Sequence, residues 1–456
     1  MREFTLREIE KATSGKLIKG NPYAKIKGIA IDSRKVTNEQ LFFAIIGQRN
    51  DAHKFVPEVV SGGTKSVVIS DPSCVEDLDD VNAVLVEDTT KAMTDLAKYY
   101  LDMIPANRVC VTGSVGKTTT RDMVYYVLKS KFKTGRNVGN FNSEYGVAMT
   151  VMDFDEDLEA IVLEIGMDRF GEIDRLVNII HPSVGIITNV GVSHIENLGS
   201  REGILKAKME ITNCFTEDDL LIVNESCDLL SIENTKGNYR LKTAGEDTYD
   251  DAFVINVMDY GDEGIEYTLA IEGEEYNVRL YVPGGHNAIN SALAILAGRE
   301  FGISVEDSIK ALQEMELTGK RLTLRENNGI KVIDDTYNAC PDSMKSALRS
   351  LVNTKGERKV AVLGDMYELG KDSEIFHRQV GEFASHLKGL DALISVGELG
   401  KAISEGARGR ELEIHHFDTK DELYKELDKL IRKGDVVLVK SSNGLHTETI
   451  VEEILK

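Results

Sequence analysis

The sequence predicts an α/β protein with three domains, two of them built around parallel sheets. The chain has 456 residues, more than one hydrophobic core usually serves, and about three domains is the expected number. From residue 104 onward, short apolar runs alternate with helical patterns, as they do in doubly wound parallel sheets. One of these runs leads through a glycine-rich turn directly into a helical pattern. We therefore expect domains at residues 1–103, 104–316 and 317–456.

The first domain is expected to be a small α/β module. Its apolar runs are separated by turns rich in Gly, Asn, Pro and Asp, a pattern typical of strands joined by tight loops. The runs that predict strands are 26–31, 41–46, 66–70 and 83–86.

The second domain is expected to be a mostly parallel sheet that ends in antiparallel hairpins. The third is expected to be Rossmann-like, although it lacks the Gly-x-Gly-x-x-Gly motif. Alternating apolar and polar residues over 252–283 predict the hairpins, and Ser304 with Asp307 forms a capping-box pattern at a helix start. The predicted strands are 108–112, 160–165, 184–188 and 220–224 in the second domain, and 331–333, 360–363, 392–396 and 436–439 in the third.

Composition excludes several classes of protein. The formal net charge of −22 argues against binding to nucleic acid or to an anionic membrane surface. A local cluster of basic side chains and N–H groups still suffices for an anionic substrate. The cysteines number five and show no paired short spacing, as expected of reduced thiols. The first residues lack the apolar core of a signal peptide and no stretch approaches a membrane span, so we expect a cytoplasmic protein, by default a monomer.

The turn at residues 113–116 predicts a phosphate-binding loop. Backbone N–H groups of such a turn, together with the helix N-terminus behind it, bind anionic oxygens. We expect Lys117 to reach the outer phosphates of a nucleoside triphosphate and the Thr118 hydroxyl to bind Mg²⁺. Val111 stands where the full Walker pattern has glycine, and the alternative is a glycine turn that precedes a helix by chance. The predicted phosphate ligands are Gly113, Ser114, Val115, Gly116, Lys117, Thr118 and Thr119.

Three further polar residues are candidates for a metal site. Glu164 ends one predicted strand, His194 lies in the loop after the next, and Lys208 lies on a predicted helix. Mg²⁺ prefers octahedral oxygen ligands, so Thr118 alone is a poor site. Ligands of parallel sheets bind at the carboxyl ends of the strands, where Glu164 and His194 are expected to face the phosphate loop. The alternatives are a surface carboxylate, a structural histidine and a solvated lysine.

Several motifs together resemble those of one enzyme family. They read Asp-Ser-Arg-Lys-Val at 32–36, Asn-Phe-Asn-Ser-Glu-Tyr-Gly at 140–146, His-Asn-Ala-Ile-Asn at 286–290, Asp-Asp-Thr-Tyr-Asn-Ala-Cys-Pro-Asp-Ser at 334–343 and Gly-Asp-Met-Tyr-Glu-Leu-Gly at 364–370. They are similar to those of the Mur ligases, the ATP-dependent amide-forming enzymes of peptidoglycan synthesis. The last two motifs are typical of the dipeptide-adding branch. The resemblance implies three domains: a small α/β domain that binds a uridine nucleotide, a central ATPase domain with a P-loop-type parallel sheet, and a C-terminal Rossmann-like domain.

The resemblance also implies ligands and roles. ATP is the expected nucleotide, and Lys117, Glu164, His194 and Lys208 are the expected catalytic residues. Two Mg²⁺ ions are expected on Thr118, Glu164, His194 and a carbamylated Lys208. Lys206, on the same predicted helix, is the alternative to Lys208. The implied substrates are UDP-N-acetylmuramoyl-tripeptide and D-alanyl-D-alanine. The remaining implied contacts are Asn287, Asn290, Arg321 and Asp335 for the nucleotide, Ser33 and Arg34 for the uridine diphosphate, Asn140 and Asn142 for sugar or diphosphate oxygens, and Tyr337 and Asn338 near the reacting ends.

Some positions depart from the family pattern and keep other functions open. Cys340 stands where the branch has Asn, and Lys440-Ser441-Ser442-Asn443 replaces Lys-Gly-Ser-Arg. The arginine missing at 443 bears on how the incoming dipeptide is held. The alternatives are a related ligase that adds another amine, such as a folylpolyglutamate-type enzyme, a switch or motor ATPase, and a catalytically silent member of the family. A motor ATPase would not explain Lys208 or the third domain.

Overall fold

The computed structural model describes residues 2–47, 50–316, 322–408 and 411–456. They form two compact units. The first unit comprises residues 1–110, 132–167 and 171–183, and the second comprises residues 111–131, 168–170 and 184–456. The three domain boundaries expected from the sequence stay a prediction.

The first hundred residues build a five-stranded sheet of order β2-β7-β6-β5-β4, as expected of a small α/β module. Strands β4 to β7 pair in parallel, β2 joins β7 antiparallel, and β1 pairs with β3 apart from this sheet. All four predicted runs are confirmed as strands, although run 26–31 is divided into two. The elements are β1 (Phe4–Thr5), α1 (Leu6–Ala12), β2 (Lys16–Lys19), β3 (Lys25–Ile26), β4 (Ile29–Ala30), β5 (Leu41–Phe43), α2 (Val56–Ser61), β6 (Ser66–Ile69), β7 (Asn82–Leu85) and α3 (Thr89–Leu101).

The next segment contains the predicted strand, glycine loop and helix. Its elements are β8 (Asn107–Thr112), α4 (Lys117–Lys129), β9 (Thr134–Arg136), α5 (Glu144–Met152), β10 (Ala160–Glu164) and α6 (Glu172–Ile180). Within the first unit β9 and β10 pair in parallel, and β10 is buried along its whole length up to Glu164. A strand buried on both faces explains the continuous apolar run in the sequence.

The second unit continues with a parallel sheet that changes to antiparallel hairpins. Strands β11 to β14 pair in parallel in chain order, and β14, β15 and β16 pair antiparallel, which confirms the prediction for 252–283. The elements are β11 (Val184–Ile187), α7 (Ile195–Leu198), α8 (Arg201–Met209), β12 (Leu220–Asn224), α9 (Ile232–Thr235), β13 (Arg240–Gly245), β14 (Ala252–Asp259), β15 (Ile265–Ile271), β16 (Glu274–Leu280), α10 (Asn287–Glu300) and α11 (Val305–Gln313).

The last part of the chain forms a six-stranded sheet of order β17-β18-β22-β19-β20-β21. Only β17 is antiparallel, and separate clusters of buried apolar side chains cover the two faces, as expected of a Rossmann-like domain. The elements are β17 (Thr323–Asn327), β18 (Ile330–Asp334), α12 (Pro341–Asn353), β19 (Arg358–Gly364), α13 (Ser373–His386), β20 (Ala392–Val396), α14 (Gly400–Ala407), β21 (Glu413–Phe417), α15 (Lys420–Leu430), β22 (Asp435–Lys440) and α16 (Glu448–Ile454).

The turn between β14 and β15 rests on the end of α12. Gly261 has a φ of +63°, and a Cβ there would overlap backbone atoms of Asn353 and Thr354. Asp262 in the same turn accepts a hydrogen bond from Lys331 Nζ at 3.1 Å. Within the second unit, this turn therefore joins the hairpins to the six-stranded sheet and its helix α12.

We expect Gly261→Ala to lower the thermal unfolding midpoint more than Gly273→Ala does. Both glycines have positive φ, so alanine costs about 1–2 kcal/mol at either site. Only at Gly261 would the new methyl also meet backbone, because Gly273 has nothing within 4 Å of its Cβ position. Overpacking of this kind adds about 1–3 kcal/mol. Differential scanning calorimetry of the two variants measures the two unfolding midpoints. Equal midpoints would show that the close contact between the turn and α12 does not affect stability.

The described residues include no helix that is long and apolar enough to cross a membrane. All five cysteines lie within the described ranges, and none of them forms a disulfide there.

Candidate functional site

The phosphate loop lies between β8 and α4 and is shaped by the end of β11. A Cβ at Gly113 would overlap the Oγ1 of Thr188, so the chain passes there only as glycine. Thr188 Oγ1 donates to the carbonyl of Val115 at 2.6 Å. The backbone N–H groups of Ser114 and Val115 both donate to Oδ1 of Asn189, at 2.9 and 2.8 Å. Two residues that directly follow β11 thus hold the loop in place by hydrogen bonds.

Asn189 is a residue that the sequence reasoning missed. Its amide oxygen accepts from both N–H groups, and its backbone carbonyl also accepts from that of Ser114, at 3.2 Å. The N–H of Val115 therefore depends on this side chain in a half-buried turn. The only signal in the sequence was its place directly after a predicted parallel strand, where ligand-binding loops start.

We expect Asn189→Ala to weaken nucleotide binding about tenfold. Loss of the side-chain acceptor leaves the N–H of Val115 unpaired, while that of Ser114 keeps the backbone carbonyl of residue 189 at 3.2 Å. The cost to the ordered loop is about 1–3 kcal/mol, and about 1.4 kcal/mol corresponds to tenfold. Calorimetric titration with ADP measures the affinity. The control is Asn234→Ala, which removes an exposed amide on α9. Wild-type affinity in Asn189→Ala would show that the glycines alone shape the loop.

Lys117 begins α4 and folds back over the loop. Its Nζ donates to the carbonyl of Gly113 at 2.8 Å and to that of Ser114 at 3.3 Å. The Thr118 side chain beside it is buried. An ammonium in this position can bind an anion in the loop.

The two lysines of α8 differ in burial. Lys208 is 2% exposed, and burial together with the nearby charge of Lys117 holds the pKa of its amine well below the usual value. Lys206 is exposed and lies 5.9 Å from the centre of the Phe170 ring. Spacing left both residues open. The burial of Lys208 near the charge of Lys117 favours it as the site lysine, which stays a prediction.

His194 lies against two carboxylates. Its Nδ1 is 2.7 Å from Oε2 of Glu368 and 3.0 Å from Oδ1 of Asp168. These are ion-pair contacts, and Nδ1 has no aligned hydrogen bond among the described residues. The ring holds the pKa of Glu368 below its usual value. The three ligand atoms lie within 4.8 Å of one another, a donor set of the kind that binds a cation.

The sequence reasoning also missed Glu368. Its loop is held by His377 on α13 and by Ser442, which follows β22. The N–H of Met366 donates to Nε2 of His377 at 2.8 Å, and His377 Nδ1 bonds to the carbonyl of Ser373 at 2.7 Å. The N–H of Tyr367 donates to Ser442 Oγ at 2.9 Å. His377 therefore fixes the loop that carries Glu368.

Asn287 and Asn290 lie on the first turn of α10, and both are buried. Asn290 Nδ2 donates to Asn287 Oδ1 at 2.8 Å, and Asn287 Nδ2 donates to the carbonyl of Pro283 at 2.8 Å. The Asn290 amide lies 3.2 Å from the position a Cβ would take on Gly116. The helix start therefore adjoins the phosphate loop, and the contact with adenine stays a prediction.

The segment after β18 carries the expected nucleotide and reaction-end residues. Asp335 is buried against Lys440, Tyr337 is half-buried, and Asn338 is exposed. Cys340 is the N-cap residue of α12, and its backbone N–H donates to Ser343 Oγ at 3.0 Å. This bond does not depend on the side chain at 340. Arg321 lies outside the described residues.

Glu164 and the asparagine-rich loop meet within the first unit. Asn142 Nδ2 donates to Glu164 Oε1 at 2.9 Å. Asn137 bonds the backbone of Glu164 at both its N–H, at 2.9 Å, and its carbonyl, at 2.8 Å. Asn140 is exposed in the same loop. The sequence analysis predicted Asn142 as a substrate contact and Glu164 as a metal ligand, without a bond between them. It did not identify Asn137.

Ser33 and Arg34 lie in a turn of the first unit. Arg34 binds both carboxylate oxygens of Asp32, each at 2.9 Å, which lowers the pKa of Asp32 to about 2. The guanidinium is exposed. A bidentate pair of this kind orients the side chain.

The comparisons with known proteins agree on one family. The Mur ligase middle domain matches residues 111–298, and the Mur ligase glutamate ligase domain matches residues 320–443. The chain is 37% identical to UDP-N-acetylmuramoyl-tripeptide--D-alanyl-D-alanine ligase of Bacillus subtilis, with 100% of this chain and 99% of that protein covered. The protein of the same name from Escherichia coli is 32% identical, with the same coverage.

Solved structures agree with these relatives. MurF from Acinetobacter baumannii has a TM-score of 0.92 at 30% identity, over 100% of this chain and 99% of that one. MurF ligase from Thermotoga maritima in complex with ADP has a TM-score of 0.82 at 28% identity, over 94% and 97%. The fold and site therefore define a ligase that forms amide bonds at the expense of ATP. The chain belongs to the Mur ligase family.

Proposed function

We propose that this protein joins D-alanyl-D-alanine to UDP-N-acetylmuramoyl-tripeptide in the synthesis of peptidoglycan precursors, acting in the cytoplasm as a monomer. The observation that carries the proposal is the full-length similarity, 37% identical, to the Bacillus subtilis ligase of that name. It is supported by a second unit in which the phosphate loop, Lys208 and His194 all belong to one compact body.

The nucleotide is ATP in this proposal. Lys117 and the loop N–H groups bind the phosphates, and Asn287, Asn290, Asp335 and Arg321 contact the rest of the nucleotide. The buried asparagines beside Gly116 support the first part of this assignment. The Thermotoga maritima MurF ligase binds ADP.

Two Mg²⁺ ions are assigned to Thr118, Glu164, His194 and Lys208. The donor chemistry fits, because hydroxyl and carboxylate oxygens are hard ligands and Nδ1 of His194, without an aligned hydrogen bond, faces two carboxylates. Lys208 fits this set only as a carbamate, since a buried ammonium beside Lys117 would repel a cation. Bound Mg²⁺ would offset phosphate charge and polarise the acyl group.

The reaction has two steps. An oxygen of the tripeptide carboxylate attacks the γ-phosphorus of ATP, and the bond to the bridging oxygen breaks to give an acyl phosphate and ADP. The amine nitrogen of D-alanyl-D-alanine then attacks the acyl carbon. The carbon–oxygen bond to phosphate breaks and the amine loses a proton, giving the amide and inorganic phosphate. The protein contributes mainly position and charge, with Lys117 compensating the transferring phosphoryl group.

The substrate roles follow the same proposal. Residues 1–103 bind the uridine nucleotide through Ser33 and Arg34, and Asn140 and Asn142 bind sugar or diphosphate oxygens. The bond from Asn142 to Glu164 supports a common site for that loop and the metal carboxylate. Tyr337 and Asn338 lie near the incoming amine.

A related ligase with a different amine remains the second candidate, because Asn443 replaces the arginine of the branch. Phosphate release from ATP by the purified chain, with UDP-N-acetylmuramoyl-tripeptide present and D-alanyl-D-alanine added or omitted, tests both. Release that needs both substrates is expected. Release only with another amine would change the proposed substrate and leave the proposed mechanism unchanged. No phosphate release from folded protein that binds ATP would favour a catalytically silent member of the family.

A further inference from the structure

A buried ion pair lies at the end of two adjacent central strands of the six-stranded sheet. Lys440 Nζ is 2.6 Å from Oδ2 of Asp335 and donates to the carbonyl of Asn338 at 2.8 Å. The two side chains are only 3% and 11% exposed. A buried ammonium needs such partners, because removal from water is costly unless charge and hydrogen bonds replace it.

Strand register creates this pair. β18 and β22 run in parallel with Asp334 opposite Val439, so Asp335 and Lys440 are the next residues on neighbouring strands. The N–H of Asp335 donates to the carbonyl of Val439 at 3.0 Å. Asp334 Oδ1 accepts from the Thr336 hydroxyl at 2.7 Å. The segment 335–338 is therefore held at its start by Asp334 and at both Asp335 and Asn338 by one lysine.

We infer that Lys440 is a positioning residue that fixes segment 335–338 for the nucleotide and neutralises Asp335; this rests on the proposed function. One oxygen of Asp335 faces Lys440, which leaves the other for the nucleotide. An unpaired carboxylate at this place would repel a triphosphate, and the pair carries no net charge. Asn338, whose carbonyl receives the second bond, lies in the segment proposed to adjoin the reacting ends.

The two serines after Lys440 also make hydrogen bonds within this part of the protein. Ser441 Oγ lies 2.6 Å from Thr447 Oγ1, and Ser442 Oγ accepts the N–H of Tyr367 at 2.9 Å. Asn443 is exposed. Lys440 thus holds segment 335–338, Ser442 holds the loop that carries Glu368, and Ser441 bonds the N-cap residue of α16.

A double-mutant cycle with ADP titration tests the inference on the full chain, without any ligase substrate. Lys440→Met and Asp335→Asn are each expected to weaken ADP binding about tenfold, and the double variant also about tenfold, because Lys440 acts through Asp335. Independent effects would multiply to about a hundredfold and would overturn the inference. Wild-type affinity in folded Lys440→Met would do the same. Lys425→Met, an exposed lysine on α15, is the matched control.

The cycle stays informative if Lys440→Met does not fold. That variant leaves a buried carboxylate unpaired, whereas the double variant leaves no buried charge at this place. Equal ADP affinity of the double variant and Asp335→Asn supports the inference, and a further tenfold loss overturns it. ADP binding is read without D-alanyl-D-alanine or the nucleotide peptide, so a failure of the proposed substrates would appear only in the phosphate-release assay.

Discussion

Replacement of Lys117 by alanine should lower turnover at least about 10³-fold and leave the fold intact. Removal of one charged donor from a phosphoryl-transfer site commonly costs two to three or more powers of ten. The Lys117 ammonium already lies within the loop, bonded to the carbonyls of Gly113 and Ser114, so no rearrangement of the backbone is needed for it to meet phosphate. Phosphate release at saturating ATP measures the effect.

The control for this experiment is Lys129→Ala, an exposed lysine at the other end of α4. It removes the same charge from the same helix without touching the loop, and turnover should stay near that of the wild type. Circular dichroism of both variants establishes that they are folded. Full activity in folded Lys117→Ala would remove the phosphate-loop assignment and with it the proposed reaction.

Replacement of Lys208 by alanine should cost at least about 100-fold in turnover, because it would remove a proposed metal ligand. The structural reason is the burial of this amine, 2% exposed, beside Lys117. Burial beside Lys117 lowers the pKa of this amine and so raises its neutral fraction. A neutral amine is the form that adds CO₂, losing a proton to give a carbamate. The carbamate would convert a repulsive site into one that attracts Mg²⁺.

Two measurements check this expectation. Protein equilibrated with ¹³C-bicarbonate should show a carbamate carbon signal that is absent in Lys208→Ala and retained in Lys206→Ala, the exposed neighbour on the same helix. The Mg²⁺ concentration for half-maximal turnover should rise in Lys208→Ala only. A signal that persists without Lys208 would place the modification elsewhere, and unchanged activity would exclude this lysine from the metal site.

Local patterns in the sequence were sufficient for most of the fold. Buried parallel strands such as β10 and β12 are continuous apolar runs, and hairpins such as β15 with β16 alternate, so both could be recognised without knowledge of their neighbours. β21, which reads Glu-Ile-His-His-Phe, was not predicted. It is an edge strand with no fully buried residue, and partial exposure removes the periodic signal.

The sequence by itself determined the kind of site: a glycine loop before a helix, and motifs whose residue types match one enzyme family. Only the tertiary structure decided which residues shape that site. Asn189 holds loop N–H groups 75 and 74 positions away, and Lys440 bonds a carbonyl 102 positions away. Spacing along the chain carries no record of such partners, because they meet only when parallel strands bring their carboxyl ends to one edge. Tertiary packing likewise decides that α8 buries Lys208 and exposes Lys206.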